Sequence, residues 1–250
     1  MTEVMVMLGV GLAIGGVLGM LGGGGSILAV PALVYIGHQS PQAATTASLV
    51  VVGIGATGGL VPHLRDGDVR VGSGLAFGAV GIAGAFAGTR MNGLVSDDVL
   101  LAAFAGLMLV TAVALFVRSR VAVGEVRAEG VHVWRVLLAG TGVGFLTGFL
   151  GVGGGFVVVP ALVFALGLSM SVAVGTSLVV IVVNVIAGLA ARGPELDIAW
   201  TVTLALAAGV MTGAALSGSI SHRFEDRVLT RAFAVLLLVV ASGIALSALA

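Results

Sequence analysis

Charged residues are spaced so that they divide the chain into long apolar stretches and short polar ones. Runs without Asp, Glu, Lys or Arg extend, for example, over residues 4–64, 136–191 and 198–221. A helix needs about 20 apolar residues to cross a bilayer core about 30 Å thick. The pattern therefore predicts an all-α polytopic membrane protein with long hydrophobic segments at residues 4–37, 43–64, 69–91, 98–117, 136–166, 172–191, 198–221 and 228–249.

The second half of the chain repeats the first with a constant offset of 129 residues. Residues 15–35 read GGVLGMLGGGGSILAVPALVY, residues 144–164 read GFLTGFLGVGGGFVVVPALVF, and eleven of these 21 positions are identical. Self-similarity at a fixed period indicates duplicated structural units. The sequence predicts three regions, namely an N-terminal repeat at 1–117, a polar linker at 118–135 and a C-terminal repeat at 136–250.

The leading segment of each half is too long for one straight span. A helix of 34 residues would measure roughly 50 Å, well beyond the hydrocarbon core. Glycine is unfavourable inside helices, and the runs Gly22–Gly25 and Gly151–Gly155 concentrate it. We therefore expect a helix, a glycine break and a shorter helix in each half, with Pro31 or Pro160 in the second turn of the shorter helix.

The number of times that each leading segment crosses the membrane decides the topology. Cytoplasmic loops are enriched in Lys and Arg, and every basic residue here is arginine. One crossing divides the arginines seven to four between the two faces, and two crossings divide them nine to two. The second division favours five crossings per half, inverted repeats, external termini and an internal linker. A re-entrant short helix stays an alternative, because about 12 residues barely span a bilayer.

Composition excludes several classes of function. Hydrophobic residues make up 59% of the chain, charged residues 9%, the mean hydropathy is +1.23 and the formal net charge is zero. These values argue against a nucleic-acid partner, and the absence of cysteine removes thiolate chemistry and Cys-based metal sites. The four histidines lie at segment ends or in the linker, without metal-ligand spacing. We expect no cofactor, no metal and no enzyme activity, with the bilayer and a small solute as partners; homo-oligomer formation stays open.

The glycine breaks are the strongest candidate for a binding site. A broken helix inside a membrane exposes backbone N–H groups, and a helix N-terminus carries partial positive charge, so an anion fits there. The short helices begin near Ser26 and Phe156, and symmetry would aim both N-termini at one point. The alternative is that small residues merely allow close helix packing. The candidate residues are Gly22, Gly23, Gly24, Gly25, Ser26, Gly151, Gly153, Gly154 and Gly155.

Polar residues after each break extend this candidate site. Thr46 and Ser48 follow the first break, and Thr176 and Ser177 follow the second. Their hydroxyl groups could complete an oxyanion shell, or bond back to carbonyls of their own helix. Asn184, in the middle of a span, is either a contact between helices or a ligand.

Ionisable groups are absent from the middle of every predicted span, so we do not expect tight coupling to protons or sodium. Asp68 and Asp197, which the repeat pairs, are the candidates for coupling. Both flank predicted helix starts, where a carboxylate also complements the helix dipole. A capping role is therefore the alternative.

The doubled GxGGGxxxVPxL pattern and the TSL stretch after it resemble the TauE/SafE sulfite exporter family, also called the 4-toluene sulfonate uptake permease family. The resemblance covers residues 8–249. It implies a carrier of sulfite, sulfonates or related anions in the cytoplasmic membrane of a prokaryote. Export is expected; an uptake permease or a non-transporting membrane scaffold are the alternatives. The two copies differ where Ser26 replaces a glycine of the pattern and where Ala47 stands in place of Thr176.

Overall fold

The computed structural model describes residues 2–92, 95, 97–120, 133–150, 155–192, 198–221 and 223–249. These residues form helices joined by short turns, and none of them forms a β-strand. The helices are α1 (Thr2–Leu21), α2 (Ser26–Pro31), α3 (Pro41–Arg65), α4 (Val71–Asn92), α5 (Asp97–Arg120), α6 (Val133–Leu150), α7 (Gly155–Ala165), α8 (Met170–Arg192), α9 (Trp200–Ser221) and α10 (Asp226–Leu249).

The ends of the predicted polar linker are helical. Helix α5 continues to Arg120 and α6 begins at Val133, so that the linker predicted at 118–135 loses three residues at each end. The residues between them, 121–132, lie outside the described residues. The helices extend into the polar stretch because arginine is a good helix former and no glycine or proline interrupts these turns.

Length and hydropathy mark five stretches of the described chain as able to cross a membrane. They are Glu3–Ile36, Ala43–Arg65, Val71–Gly88, Met170–Ala190 and Trp200–Ser221. The bundle also exposes large apolar side chains, since Met5, Leu138 and Val239 are each more than 60% exposed. An apolar exterior of this extent suits lipid and not water. The fold is that of a helical, polytopic membrane protein.

The first of these stretches is a hairpin. A Cβ atom at Gly25 would lie 2.7 Å from the backbone nitrogen of Leu18 and 2.8 Å from the carbonyl oxygen of Ile14, which a continuous helix could not allow. A Cβ atom at Gly37 would lie 2.7 Å from Met7 Cε, near the start of α1. The return segment, residues 26–36, therefore runs back along α1 and ends beside its beginning. It consists of α2 and one π-helical turn.

Helices from different halves pack against each other through glycine. In the pair α1–α9, Gly11 contacts the backbone of Leu206, Gly15 that of Val210 and Gly19 that of Ala214. In the pair α4–α6, the same contacts join Gly140 with Phe77, Gly144 with Gly81 and Gly148 with Ala85. A shift of 129 residues carries each contact of the first pair onto one of the second. Both pairs are parallel, and small residues let the backbones approach closely.

The central helices α3 and α8 run antiparallel. Gly53 faces Val185, and Gly188 faces Leu49. Helix α3 also lies parallel to α9, where Gly58 contacts Met211. Helices α4 and α8 pack together as well, as do α5 and α10. The two halves are thus interlocked in one bundle.

The helix directions place most arginines at one end of the bundle. We call the end where α5 stops and α6 begins the linker end, and the opposite end, where α1 begins, the terminal end. The arginines at the ends of described helices or in adjoining turns at the linker end are Arg65, Arg70, Arg118, Arg120, Arg135, Arg223, Arg227 and Arg231; those at the terminal end are Arg90 and Arg192.

Candidate functional site

The chain reverses at four consecutive glycines. Helix α1 ends at Leu21, Gly22 adopts φ +65°, and Gly22–Gly25 form a 3-10 turn that leads into α2. A positive φ is favourable only for glycine, so Gly22 is required at the start of the reversal. All four glycines are buried. The turn is closed by Ser26, whose backbone N–H and Oγ both donate to the carbonyl of Gly23, the Oγ at 2.6 Å.

The glycine turn of the first half meets the start of α7 inside the bundle. The backbones of Gly23 and Gly155 are in direct contact, and a Cβ atom at Gly155 would lie 2.7 Å from Ser26 Oγ. Gly155 is the first residue of α7, which is the short helix of the second half. The start of α7 and the start of α2 therefore adjoin. Only glycine fits at this point, because any side chain would overlap the opposite backbone.

A hydroxyl group of α8 lies against the glycine turn. A Cβ atom at Gly22 would lie 2.5 Å from Ser177 Oγ and 3.0 Å from Val159 Cγ2. The Ser177 hydroxyl donates to the carbonyl of Val174 at 2.7 Å, and the side chain is fully buried. A hydroxyl has one proton, so Ser177 can donate to an anion only if it turns away from the Val174 carbonyl.

Ser48 makes the same kind of hydrogen bond in the first half. Its hydroxyl donates to the carbonyl of Thr45 at 2.8 Å, which is the position equivalent to Val174. Back-bonding, which was the alternative to ligand binding in the sequence, is thus present for both serines. Each hydroxyl has one proton, so either serine must give up this bond before it can donate to an anion.

Other predicted site residues lie away from the contact between Gly23 and Gly155. Thr176 is fully buried, but its Oγ1 accepts from the backbone N–H of Arg70 at 3.0 Å in the turn before α4. Asn184 faces α4, where its Oδ1 would lie 3.9 Å from a Cβ atom at Gly81. This position corresponds to the helix contact that was one of its two expected roles. Thr46 is half-buried on α3.

The remaining predicted residues are placed as follows. Pro31 ends α2, and Pro160 lies inside α7. Proline lacks an N–H, so each short helix loses one internal hydrogen bond there. Asp68 is half-buried in the turn between α3 and α4, and its backbone N–H donates to the carbonyl of His63. The positions that lie outside the described residues are Gly151, Gly153, Gly154 and Asp197.

Two polar residues near the ends of helices were not identified as functional from the sequence. His63 is 1% exposed, and its Nε2 contacts the carbonyl oxygen of Gly19 at 2.9 Å. Asp226 accepts hydrogen bonds from the backbone N–H groups of Met170 and Ser171 and so caps α8 from the start of α10. The repeat gives no signal for His63, because an arginine occupies the equivalent position 192.

Comparison with known proteins agrees with this architecture. The family model described as sulfite exporter TauE/SafE matches residues 7–244. A probable membrane transporter protein of Xylella fastidiosa (strain 9a5c) is 35% identical over 248 residues, which cover 96% of this chain and 94% of that protein. The probable membrane transporter protein YdhB of Bacillus subtilis (strain 168) is 24% identical over 232 residues, 92% of each chain. None of the solved structures matches this chain.

These relatives are named as transporters and not as enzymes, and they align along nearly the whole chain. The family match includes both glycine runs of the sequence and both central helices. The chain therefore belongs to the TauE/SafE sulfite exporter family of membrane transporters.

Proposed function

We propose that this protein exports a small sulfur-containing anion, sulfite or an organosulfonate, across the inner membrane of a prokaryote. The observation that carries the proposal is the contact between Gly23 and Gly155, where two interrupted helices begin side by side within the bundle. The family name supports the class of substrate. The described glycines Gly22–Gly25, together with Gly155, Ser26 and Ser177, form the core of the proposed site.

Helix starts suit an anion at this depth for electrostatic reasons. The first N–H groups of a helix have no partner within the helix, and its dipole places partial positive charge there. Transporters use such half-helix N-termini to hold anionic groups in the membrane. The hydroxyl of Ser177 adds a neutral polar group beside Gly22. A site of dipoles without a paired arginine holds an anion weakly enough to release it.

The two halves are proposed to be inverted repeats. The shift of 129 residues maps the contacts of α1–α9 onto those of α4–α6, and α3 pairs antiparallel with its own equivalent, α8. Such a pattern fits a two-fold axis through the α3–α8 contact. Rocking of one helix group against the other around a central site is the usual route to alternating access.

The membrane potential provides the driving force for export. Cytoplasmic faces are enriched in arginine, so the linker end is assigned to the cytoplasm. Moving one negative charge outward across 100 mV gains about 2.3 kcal/mol, which sustains roughly a fifty-fold gradient. The protein thus has no need of an energy-coupling domain to export an anion.

Flux measurements with a matched pair of variants test the proposal. Proteoliposomes loaded with labelled sulfite are given an outward-driving potential with a potassium ionophore. Ser177→Ala removes the hydroxyl beside Gly22, which is proposed to turn from the Val174 carbonyl and donate to the anion. The variant is expected to lower flux about tenfold, the effect of losing one hydrogen bond to a charged group. Thr57→Val is the control, because Thr57 bonds back to Ile54 at the same spacing but is exposed.

Equal flux in both variants would contradict a site at the glycine turn. Sulfite movement that requires an imposed proton gradient and ignores the potential would favour an uptake permease. If the protein assembles normally but moves neither sulfite nor a sulfonate, the proposed substrate is wrong and a scaffold role is favoured.

A further inference from the structure

A buried histidine adjoins the glycine turn of the first half. His63 lies in the last turn of α3, and its Nε2 is 2.9 Å from the carbonyl oxygen of Gly19 in the last turn of α1. The other ring nitrogen, Nδ1, is buried and has no hydrogen-bond partner among the residues that the structure describes. Because buried polar atoms are nearly always paired, this nitrogen requires an explanation.

The contact with Gly19 defines which nitrogen can take a proton. A carbonyl oxygen only accepts, so Nε2 carries the hydrogen and donates it to Gly19. In a neutral ring, Nδ1 then holds a lone pair, which makes it an acceptor. A proton from water can add to this lone pair with formation of one N–H bond, and the ring gains one positive charge.

Two helix ends surround the ring with partial negative charge. His63 is in the last turn of α3 and contacts the last turn of α1, and cations are stabilised at helix C-termini. The charged residues in the last turn of α3 and the turn that follows it are two of each sign: Arg65, Asp66, Asp68 and Arg70. Helix α9 carries no charged residue, and the only one on α1, Glu3, is at the far end.

Charge on the ring would act directly on the proposed anion site. Gly19 precedes Gly22 by three residues, about 4.5 Å along the helix axis. On the other side, a Cβ atom at Gly175 would lie 3.1 Å from His63 Cβ, and Gly175 is two residues before Ser177. The His63 side chain thus adjoins α1 through its ring and α8 through its Cβ atom.

We propose that His63 is a protonation site that controls anion affinity, with the imidazolium state binding the anion more tightly. This inference rests on the proposed function. By linkage, a bound anion must also promote proton uptake at His63. Histidine changes charge within the physiological pH range. The proposal goes beyond the expectation of no tight coupling to protons, because the sequence does not show that this helix-end histidine is enclosed by α1, α8 and α9.

Calorimetric titration of the purified full chain with methanesulfonate tests the inference, since the charge of a sulfonate does not change with pH in this range. Affinity is expected to be about fivefold or more tighter at pH 5.5 than at pH 8, within the usual size of coupling between sites. Titrations near pH 7 in buffers of different ionisation enthalpy are expected to reveal proton uptake. His63→Gln, which keeps an N–H donor for Gly19 but cannot titrate, is expected to abolish both effects.

Two further variants complete the design. His38→Gln makes the same exchange at an exposed histidine of the terminal end, and it is expected to behave as the wild type. A variant that carries H38Q, H132Q and H222Q together keeps His63 as its sole histidine and is expected to retain the pH dependence. This second test stays valid if His63→Gln fails to assemble.

The outcomes separate the two proposals. Two results would overturn the role of His63 and leave the proposed function intact. One is binding by His63→Gln with an unchanged pH dependence, and the other is binding by the triple variant without a pH dependence. Where sulfite replaces methanesulfonate, its own ionisation is common to all variants and cancels in the comparison. Binding of neither anion at any pH overturns the proposed function and this inference together.

Discussion

Neighbouring glycines on α1 are expected to respond in opposite ways to the same substitution. A Cβ atom at Gly15 would lie 2.8 Å from Val210 Cα and closer still to the Val210 carbonyl oxygen, whereas one at Gly16 would meet nothing within 4 Å. Gly15→Ala therefore forces α1 and α9 apart. Gly16→Ala adds a methyl group at an open position of the same helix.

The difference between the two variants isolates the packing cost. Replacing glycine by alanine in a helix gains about 1 kcal/mol from propensity, and this gain is common to both. Overpacking against backbone atoms costs about 1–3 kcal/mol. Gly15→Ala is thus expected to be less stable than Gly16→Ala by about 1–3 kcal/mol, or roughly 2–12 °C in Tm for a chain of this size.

Thermal unfolding of the two variants in the same detergent measures this difference. The second half provides a replicate, because Gly144 contacts Gly81 in the equivalent register whereas Gly142 faces open space. Gly144→Ala is expected to be less stable than Gly142→Ala by a similar amount. Equal Tm values within each pair would refute the helix packing described above.

Two other predictions concern capping and orientation. Asp226→Ala removes the side chain that caps α8 at Met170 and Ser171, and it is expected to lower stability by about 1–2 kcal/mol, the usual value of an N-cap, in the same unfolding assay; an unchanged Tm would contradict this cap. The chain has no cysteine, so single substitutions His38→Cys and Arg223→Cys report the two ends of the bundle. In intact cells, an impermeant maleimide is expected to label only the first, and labelling of both would contradict the assigned orientation.

The membrane fold can be predicted from the sequence because the long apolar runs are compatible with few structures other than membrane-spanning helices. Runs such as residues 43–64 and 198–221 exceed the length of a span, and the helices α3 and α9 occupy them with ends displaced by two residues or fewer. The interlocking of α1 with α9 was not predictable in the same way. It depends on which glycine faces which backbone, and spacing alone does not distinguish Gly15 from Gly16.

The candidate site was only partly accessible from sequence. The run Gly22–Gly25 indicated where the first leading segment is interrupted, since four glycines in succession disfavour a helix. The direction of the chain after Gly25 depends on the positive φ of Gly22, which composition does not specify. Thr176 was a candidate as a hydroxyl group after the break, and Asn184 as a polar residue in the middle of a span. Their side chains face the turn before α4 and α4 itself. His63 was overlooked because its burial arises from α1, α8 and α9.

The central claim is that an anion binds where the two interrupted helices begin, and the position of a bound analogue tests it most directly. Selenite is the selenium analogue of sulfite, and an anomalous difference map from crystals grown with it locates the selenium atom. The account predicts a peak within hydrogen-bond distance of backbone nitrogens of the turn Gly22–Gly25 or at the start of α7. A selenium peak elsewhere in the bundle, with the contact between Gly23 and Gly155 unchanged, would contradict it.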